Sequence, residues 1–138
     1  MASMLEFNQV IKMKWISTIK KIGPKAISPE DRVVILFGES ANEELADVSV
    51  IQEFDADTPA ASIVLKKGDT ITIDGITYDI EYTGSLVNSN LKKLQHASLF
   101  FTTEVPKKPM SNAIYVDCPA DQEMPVFRVD DEIVYEHL

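Results

Sequence analysis

Few side chains in this sequence have the chemistry of a nucleophile, a proton acceptor or a soft metal ligand. The 138 residues include two histidines, His96 and His137, and one cysteine, Cys118. Imidazole titrates near neutral pH, so each histidine is a candidate proton or phosphoryl acceptor. A single cysteine can form neither an internal disulfide nor a cysteine-based metal cluster.

Each of these three residues also has a simpler structural interpretation. His96 could orient a phosphate or be phosphorylated itself, but no second catalytic group is visible beside it. We therefore favour a histidine at a helix-to-strand junction that is hydrogen-bonded to nearby backbone. His137 is the penultimate residue of the sequence, and we predict that it is disordered or solvated. Cys118 is predicted to be a small buried residue.

A further candidate site is an acidic cluster, Glu53, Asp55 and Asp57. Its D-x-D spacing resembles a fragment of a calcium loop, but the further oxygen ligands and the glycine of such a loop are missing. An aspartyl-phosphate on Asp55 or Asp57 would need a divalent metal, which nothing in the sequence specifies. We therefore predict no metal site and no cofactor.

The composition excludes several classes of function. Acidic residues number 22 and basic residues 13, and the net charge of -9 comes without a basic stripe, which argues against nucleic acid and anionic membrane surfaces as partners. No apolar run approaches the roughly 20 residues of a membrane-spanning helix, and residues 1–15 lack the apolar centre of a signal peptide. We expect a cytoplasmic protein with one domain and no direct membrane insertion.

Short strands separated by tight turns account for most of the pattern. Asp74-Gly75 joins two alternating runs, which is the strongest short-range signal for a β-hairpin. The alternating or continuous apolar runs predict strands at residues 14–22, 32–37, 48–54, 70–73, 76–82, 97–103, 112–116 and 126–135.

Helical spacing is confined to short segments. Residues 86–94 carry apolar side chains on one helical face, and Ser85 is the predicted N-cap. Ser40, with Glu43 three residues later, predicts a single capped helical turn. The sequence thus predicts a mainly β fold, a small closed or partly open β-barrel with one short helix, and not a βαβ sheet.

Two stretches resemble a known family. Residues 82–101, YTGSLVNSNLKKLQHASLFF, resemble the block of the glucitol/sorbitol-specific enzyme IIA family of the sugar phosphotransferase system in which a strand ends at glycine and a helix leads to a Leu-x-His step. The front half, with IKKIG at 19–23 and EELADVSVIQ at 43–52, is similar to the first strands of that family. The resemblance covers about residues 13–136, so we predict a single domain at 13–138 preceded by an extension or leader at 1–12.

The resemblance implies a phosphocarrier. In that family, a histidine at the end of the segment matching residues 48–52 accepts a phosphoryl group from the carrier protein HPr and passes it to a sugar-specific IIB component. In this sequence the matching position is Gln52, and no histidine precedes His96. A carboxamide is a far weaker nucleophile than imidazole.

Three hypotheses follow from this substitution. The first is an enzyme IIA component with HPr and IIB as partners, in which His96 is the remaining candidate acceptor. The second is a regulatory or protein-binding module that keeps the fold but is not phosphorylated. The third is an enzyme or ligand-binding barrel that shares only its architecture with the family.

Overall fold

Eight strands close into a barrel in the computed structural model, which describes residues 12–28 and 30–138. The strands are β1 (Met13–Ile22), β2 (Val33–Phe37), β3 (Ser49–Phe54), β4 (Thr70–Ile73), β5 (Ile76–Thr83), β6 (Ala97–Phe101), β7 (Ala113–Val116) and β8 (Glu132–His137). Their order around the barrel is β1-β3-β2-β6-β7-β5-β4-β8, and antiparallel pairing of β8 with β1 closes it. The prediction of a mainly β barrel is confirmed.

The core fills the interior of the barrel because successive side chains of a strand point to opposite faces. Ile71 and Ile73 of β4 face inward beside Tyr78 and Ile80 of β5, and all four are almost fully buried. The turn between these strands is the predicted hairpin. Asp74 and Gly75 both adopt positive φ, 56° and 73°, which suits a two-residue turn of type I′.

Two pairs of neighbouring strands are parallel, which the sequence pattern did not predict. β2 and β3 run parallel and are joined by a crossover that contains helix α1 (Glu43–Asp47). β6 and β7 are the second parallel pair. The barrel therefore contains one short βαβ unit within a mainly antiparallel sheet.

Residues 12–28 and 30–138 contain two short α-helices where the sequence predicted one helix and one helical turn. The first, α1, is capped by Asn42, whose side chain accepts a hydrogen bond from the Leu45 amide at 2.9 Å, so the prediction of Ser40 as the cap is wrong. The second, α2 (Val87–Leu94), begins after Leu86 without a side-chain cap, so the prediction of Ser85 is also wrong. A single 3₁₀ turn spans Ala60–Ser62.

The last strand differs most from its predicted range. It begins at Glu132 instead of residue 126 and extends to His137. Residues 126–131 form a loop that Asp74 holds by accepting hydrogen bonds from the Val126 amide and the Arg128 guanidinium. None of the described helices is long and apolar enough to cross a membrane. The predicted extension at 1–12 lies outside the described residues except for Lys12.

Candidate functional site

Gln52 lies near the end of β3, and its side chain is buried. Its side chain is 1% exposed, and its backbone pairs with Ile19 of β1. The carboxamide oxygen accepts a hydrogen bond from the Ser17 hydroxyl at 2.7 Å and another from the Tyr135 hydroxyl at 2.6 Å. The carboxamide nitrogen donates to the backbone carbonyl of Gln95 at 3.0 Å. Three elements of the barrel therefore fix this one side chain.

The chemistry of these partners determines which way the carboxamide points. The Gln95 carbonyl can only accept, so the group facing it must be the nitrogen of Gln52. The oxygen then faces the two hydroxyls, each of which can donate. Burial raises the pKa of Tyr135 well above its ordinary value, so its hydroxyl stays protonated and remains a donor.

A cleft of about 360 Å³ lies over Gln52. Its charged lining consists of the carboxylates of Glu39, Glu53 and Asp55 and the ammonium group of Lys92. Glu53 raises the pKa of Glu39 through a hydrogen bond between the two side chains and through charge repulsion. Carboxylates thus outnumber cations in this cleft, which disfavours a bound phosphate.

His96 lies at the junction between α2 and β6, and both of its ring nitrogens are hydrogen-bonded. Nδ1 lies 2.9 Å from the Leu36 carbonyl oxygen, which can only accept, so Nδ1 carries the proton. Nε2 then accepts from the Asn112 carboxamide nitrogen at 3.3 Å. The ring also packs against Phe37, with 4.8 Å between centroids. His96 does not line the cleft over Gln52.

Comparison with known proteins places this geometry in a family. The model of the family described as "PTS system glucitol/sorbitol-specific IIA component" matches residues 14–134. The chain belongs to this family. It is also similar to the solved structure titled "The Crystal Structure of PTS System IIA Component from Enterococcus faecalis V583", with a TM-score of 0.76 and 30% sequence identity over 86% of this chain and 96% of that chain. No curated protein matches the chain significantly.

The sequence reasoning missed the residues that hydrogen-bond to the side chain of Gln52. Ser17, Gln95 and Tyr135 are 35, 43 and 83 residues from Gln52. The inward direction of Ser17 and Tyr135 could have been found from strand alternation, because each lies two residues from a buried apolar side chain on the same face of its strand. The capping position of Gln95, with a φ of 52°, had no comparable signal.

The acidic cluster is only partly assembled in this IIA domain. Glu53 and Asp55 line the cleft, whereas Asp57 does not. Within residues 12–28 and 30–138, no group of three histidine, cysteine or acidic side chains could hold a metal ion. Cys118 is fully buried as predicted, and its sulfur lies 3.1 Å from the Arg32 guanidinium.

His137 belongs to a paired strand and bonds to Asp69, so the prediction of a disordered or solvated residue is wrong. It is the last residue of β8, its side chain is 17% exposed, and Nδ1 lies 2.7 Å from a carboxylate oxygen of Asp69. Alternation along β8 explains this placement, since Ile133, Tyr135 and His137 fall on the inward face. The sequence prediction relied on the position of His137 near the end of the chain, although the residue belongs to a paired strand.

Proposed function

We propose that this chain is an enzyme IIA-type module that binds the partners of its family without carrying a phosphoryl group at position 52. The observation that carries the proposal is the buried carboxamide of Gln52, with both of its polar atoms hydrogen-bonded inside the protein. The proposed partners are HPr and a sugar-specific IIB component, and the proposed location is the cytoplasm.

The chemistry of the carboxamide supports this conclusion. Its nitrogen lone pair is delocalised into the carbonyl, and its oxygen already accepts two hydrogen bonds from Ser17 and Tyr135. A phosphoryl group on either atom would displace buried partners, which costs about 1–3 kcal/mol for each hydrogen-bonding group left unsatisfied. A histidine at this position would instead present a ring nitrogen with a free lone pair.

The charge of the cleft also supports a role without phosphoryl transfer at position 52. A phosphorylated donor would bring a dianion toward Glu39, Glu53 and Asp55. Among the described residues, Lys92 is the one cation that lines the cleft, and the charge of Lys20 reaches Glu39 from outside the lining. Like charges in contact weaken association. We therefore expect the module to bind unphosphorylated HPr more tightly than phosphorylated HPr.

Phosphoryl transfer through His96 is the competing hypothesis. It would require Nε2 to leave the Asn112 side chain and reach a donor from outside the cleft. Mapping the phosphorylated residue separates the two hypotheses, because they place the phosphoryl group differently.

The test is incubation with phosphoenolpyruvate, enzyme I and HPr, followed by mapping of acid-labile phosphate. We expect no phosphate on residues 49–54 of the natural chain and phosphate on the new histidine of the Gln52→His variant. Phosphate in the natural chain that disappears in His96→Ala would refute the proposal in favour of the competing hypothesis. Absence of label in Gln52→His, together with no measurable binding of HPr by calorimetry, would refute the retained partner surface.

A further inference from the structure

The second histidine of the chain is arranged differently from the first. Both ring nitrogens of His96 are occupied by partners, whereas the hydrogen bond described for His137 involves only Nδ1. No described residue bonds Nε2 of His137, and this nitrogen is not among the buried atoms that lack a partner. The His137 side chain is 17% exposed.

Asp69 is a rigid partner for this ring. It is 1% exposed and precedes β4. One of its carboxylate oxygens accepts from the Lys66 amide at 2.8 Å as well as from His137, and the other accepts from the Leu138 amide at 3.3 Å. The carboxylate is thus held in place by backbone donors on two segments of the chain.

This pairing determines the tautomer of His137. A carboxylate can only accept, so the proton of the neutral ring must be on Nδ1. The lone pair is then on Nε2. An imidazole oriented by a third group, with no described residue bonded to its second nitrogen, has the arrangement of an activated nucleophile.

We propose that Nε2 of His137 is a phosphoryl acceptor for donors that hold their phosphoryl group on nitrogen. The Nε2 lone pair attacks phosphorus, the phosphorus–nitrogen bond of the donor breaks, and its electron pair leaves with the donor nitrogen. With phosphoramidate the leaving group is ammonia. Nδ1 keeps its proton, and the positive charge that develops on the ring lies beside the Asp69 carboxylate, which stabilises it.

This acceptor is distinct from position 52. Along β1, Met13 pairs with His137 and Ile19 pairs with Gln52, a separation of about 20 Å at roughly 3.3 Å per residue. A small recess of about 70 Å³ adjoins Asp69, and Lys12 and Glu136 contribute to its lining. The proposal does not depend on the proposed function, because it concerns the natural chain and another face of the barrel.

The experiment treats the full chain with phosphoramidate and, separately, with phosphorylated HPr. Phosphopeptide mapping locates the label, and ³¹P NMR distinguishes phosphate on Nε2 from phosphate on Nδ1. We expect phosphoramidate to label His137 on Nε2 at least roughly tenfold faster than His96, since Asn112 occupies the Nε2 lone pair of His96 and no described residue occupies that of His137. Label from phosphorylated HPr as well would assign the donor to a protein, and label from phosphoramidate alone would assign it to small molecules.

Asp69→Asn provides the decisive variant. The asparagine lacks the negative charge of Asp69, so the positive charge that develops on the ring is no longer stabilised, and we expect labelling to fall by roughly tenfold or more. Circular dichroism checks that the variant folds, and ¹⁵N NMR of the natural chain measures the tautomer directly. Equal labelling of both histidines, phosphate on Nδ1, an Nε2–H tautomer in the natural chain, or undiminished labelling of a folded Asp69→Asn variant would each overturn the proposal.

Discussion

The carboxamide of Gln52 leads to a quantitative prediction about stability. In the Gln52→Leu variant, the Ser17 and Tyr135 hydroxyls lose their acceptor and the Gln95 carbonyl loses its donor. The two hydroxyls can pair with each other, which still leaves one buried donor and one partly buried acceptor unsatisfied. At about 1–3 kcal/mol for each of these two groups, we expect the free energy of unfolding to fall by about 2–6 kcal/mol.

A combined variant separates this network from simple packing. Ser17→Ala/Gln52→Leu/Tyr135→Phe removes the polar side chains together, so only the Gln95 carbonyl still lacks its partner. We expect this variant to be more stable than Gln52→Leu alone, although it carries two additional substitutions.

Urea denaturation with linear extrapolation measures both variants. Gln122→Leu is the matched control because this glutamine is exposed, and we expect it to change the free energy of unfolding by no more than about 0.5 kcal/mol. A loss below about 1 kcal/mol in Gln52→Leu would contradict our account of the network. So would a combined variant that is no more stable than the single one.

Three further predictions concern other parts of the barrel. Burial raises the pKa of Tyr78 to about 12, and its hydroxyl has no hydrogen-bond partner among the described residues. Because Tyr78→Phe removes this unsatisfied group, it should raise the free energy of unfolding by about 1 kcal/mol. An equal or lower free energy in urea denaturation would contradict this prediction. A Cβ at Gly23 would overlap the backbone oxygen of Ala46, so Gly23→Ala should lower the free energy of unfolding by about 1–3 kcal/mol. An unchanged melting temperature would contradict this and show that the crossover between β2 and β3 can shift. The hydrogen bond from Arg128 keeps the pKa of Asp74 below its ordinary 3.8, so the resulting stability is present above that pH and is lost as the pH falls through the lower value of the folded state. Asp74→Asn should therefore be less stable than the natural chain at pH 6 but not at pH 2, and thermal melts with an equal difference at both values would contradict the ion pair.

The sequence predicted the parts of the fold that depend on neighbouring residues. The Asp74-Gly75 hairpin is determined by two turn residues between alternating runs, and it forms where predicted. The parallel pairing of β2 with β3 depends on how separated strands meet, and no local pattern contains that information. The cap of α1 was assigned to Ser40 because its spacing to Glu43 matches a capping box, yet the chain turns at Asn42, whose carboxamide oxygen is an equally good acceptor.

The candidate site was less predictable because its members are far apart in the sequence. Residue 52 was found through a family resemblance, but its partners Ser17 and Tyr135 come from opposite ends of the described chain. His137 was assigned to solvent because of its position, although continued alternation along β8 would have predicted an inward side chain. A polar residue at the end of an alternating strand therefore needs a specific partner, here Asp69, before it can be assigned to the interior.

The pairing of β1 with β8 has a consequence for the synthesis of this protein. Met13 pairs with His137, so the barrel closes only after residue 137 has emerged from the ribosome. Until then β1 and β4 both present unpaired strand edges, which are sites of intermolecular association. Contacts this distant in sequence also slow folding. Protection against aggregation therefore begins only when β8 pairs with β1 and β4. Mutations that slow this pairing should lower the soluble yield even where the folded protein keeps its free energy of unfolding.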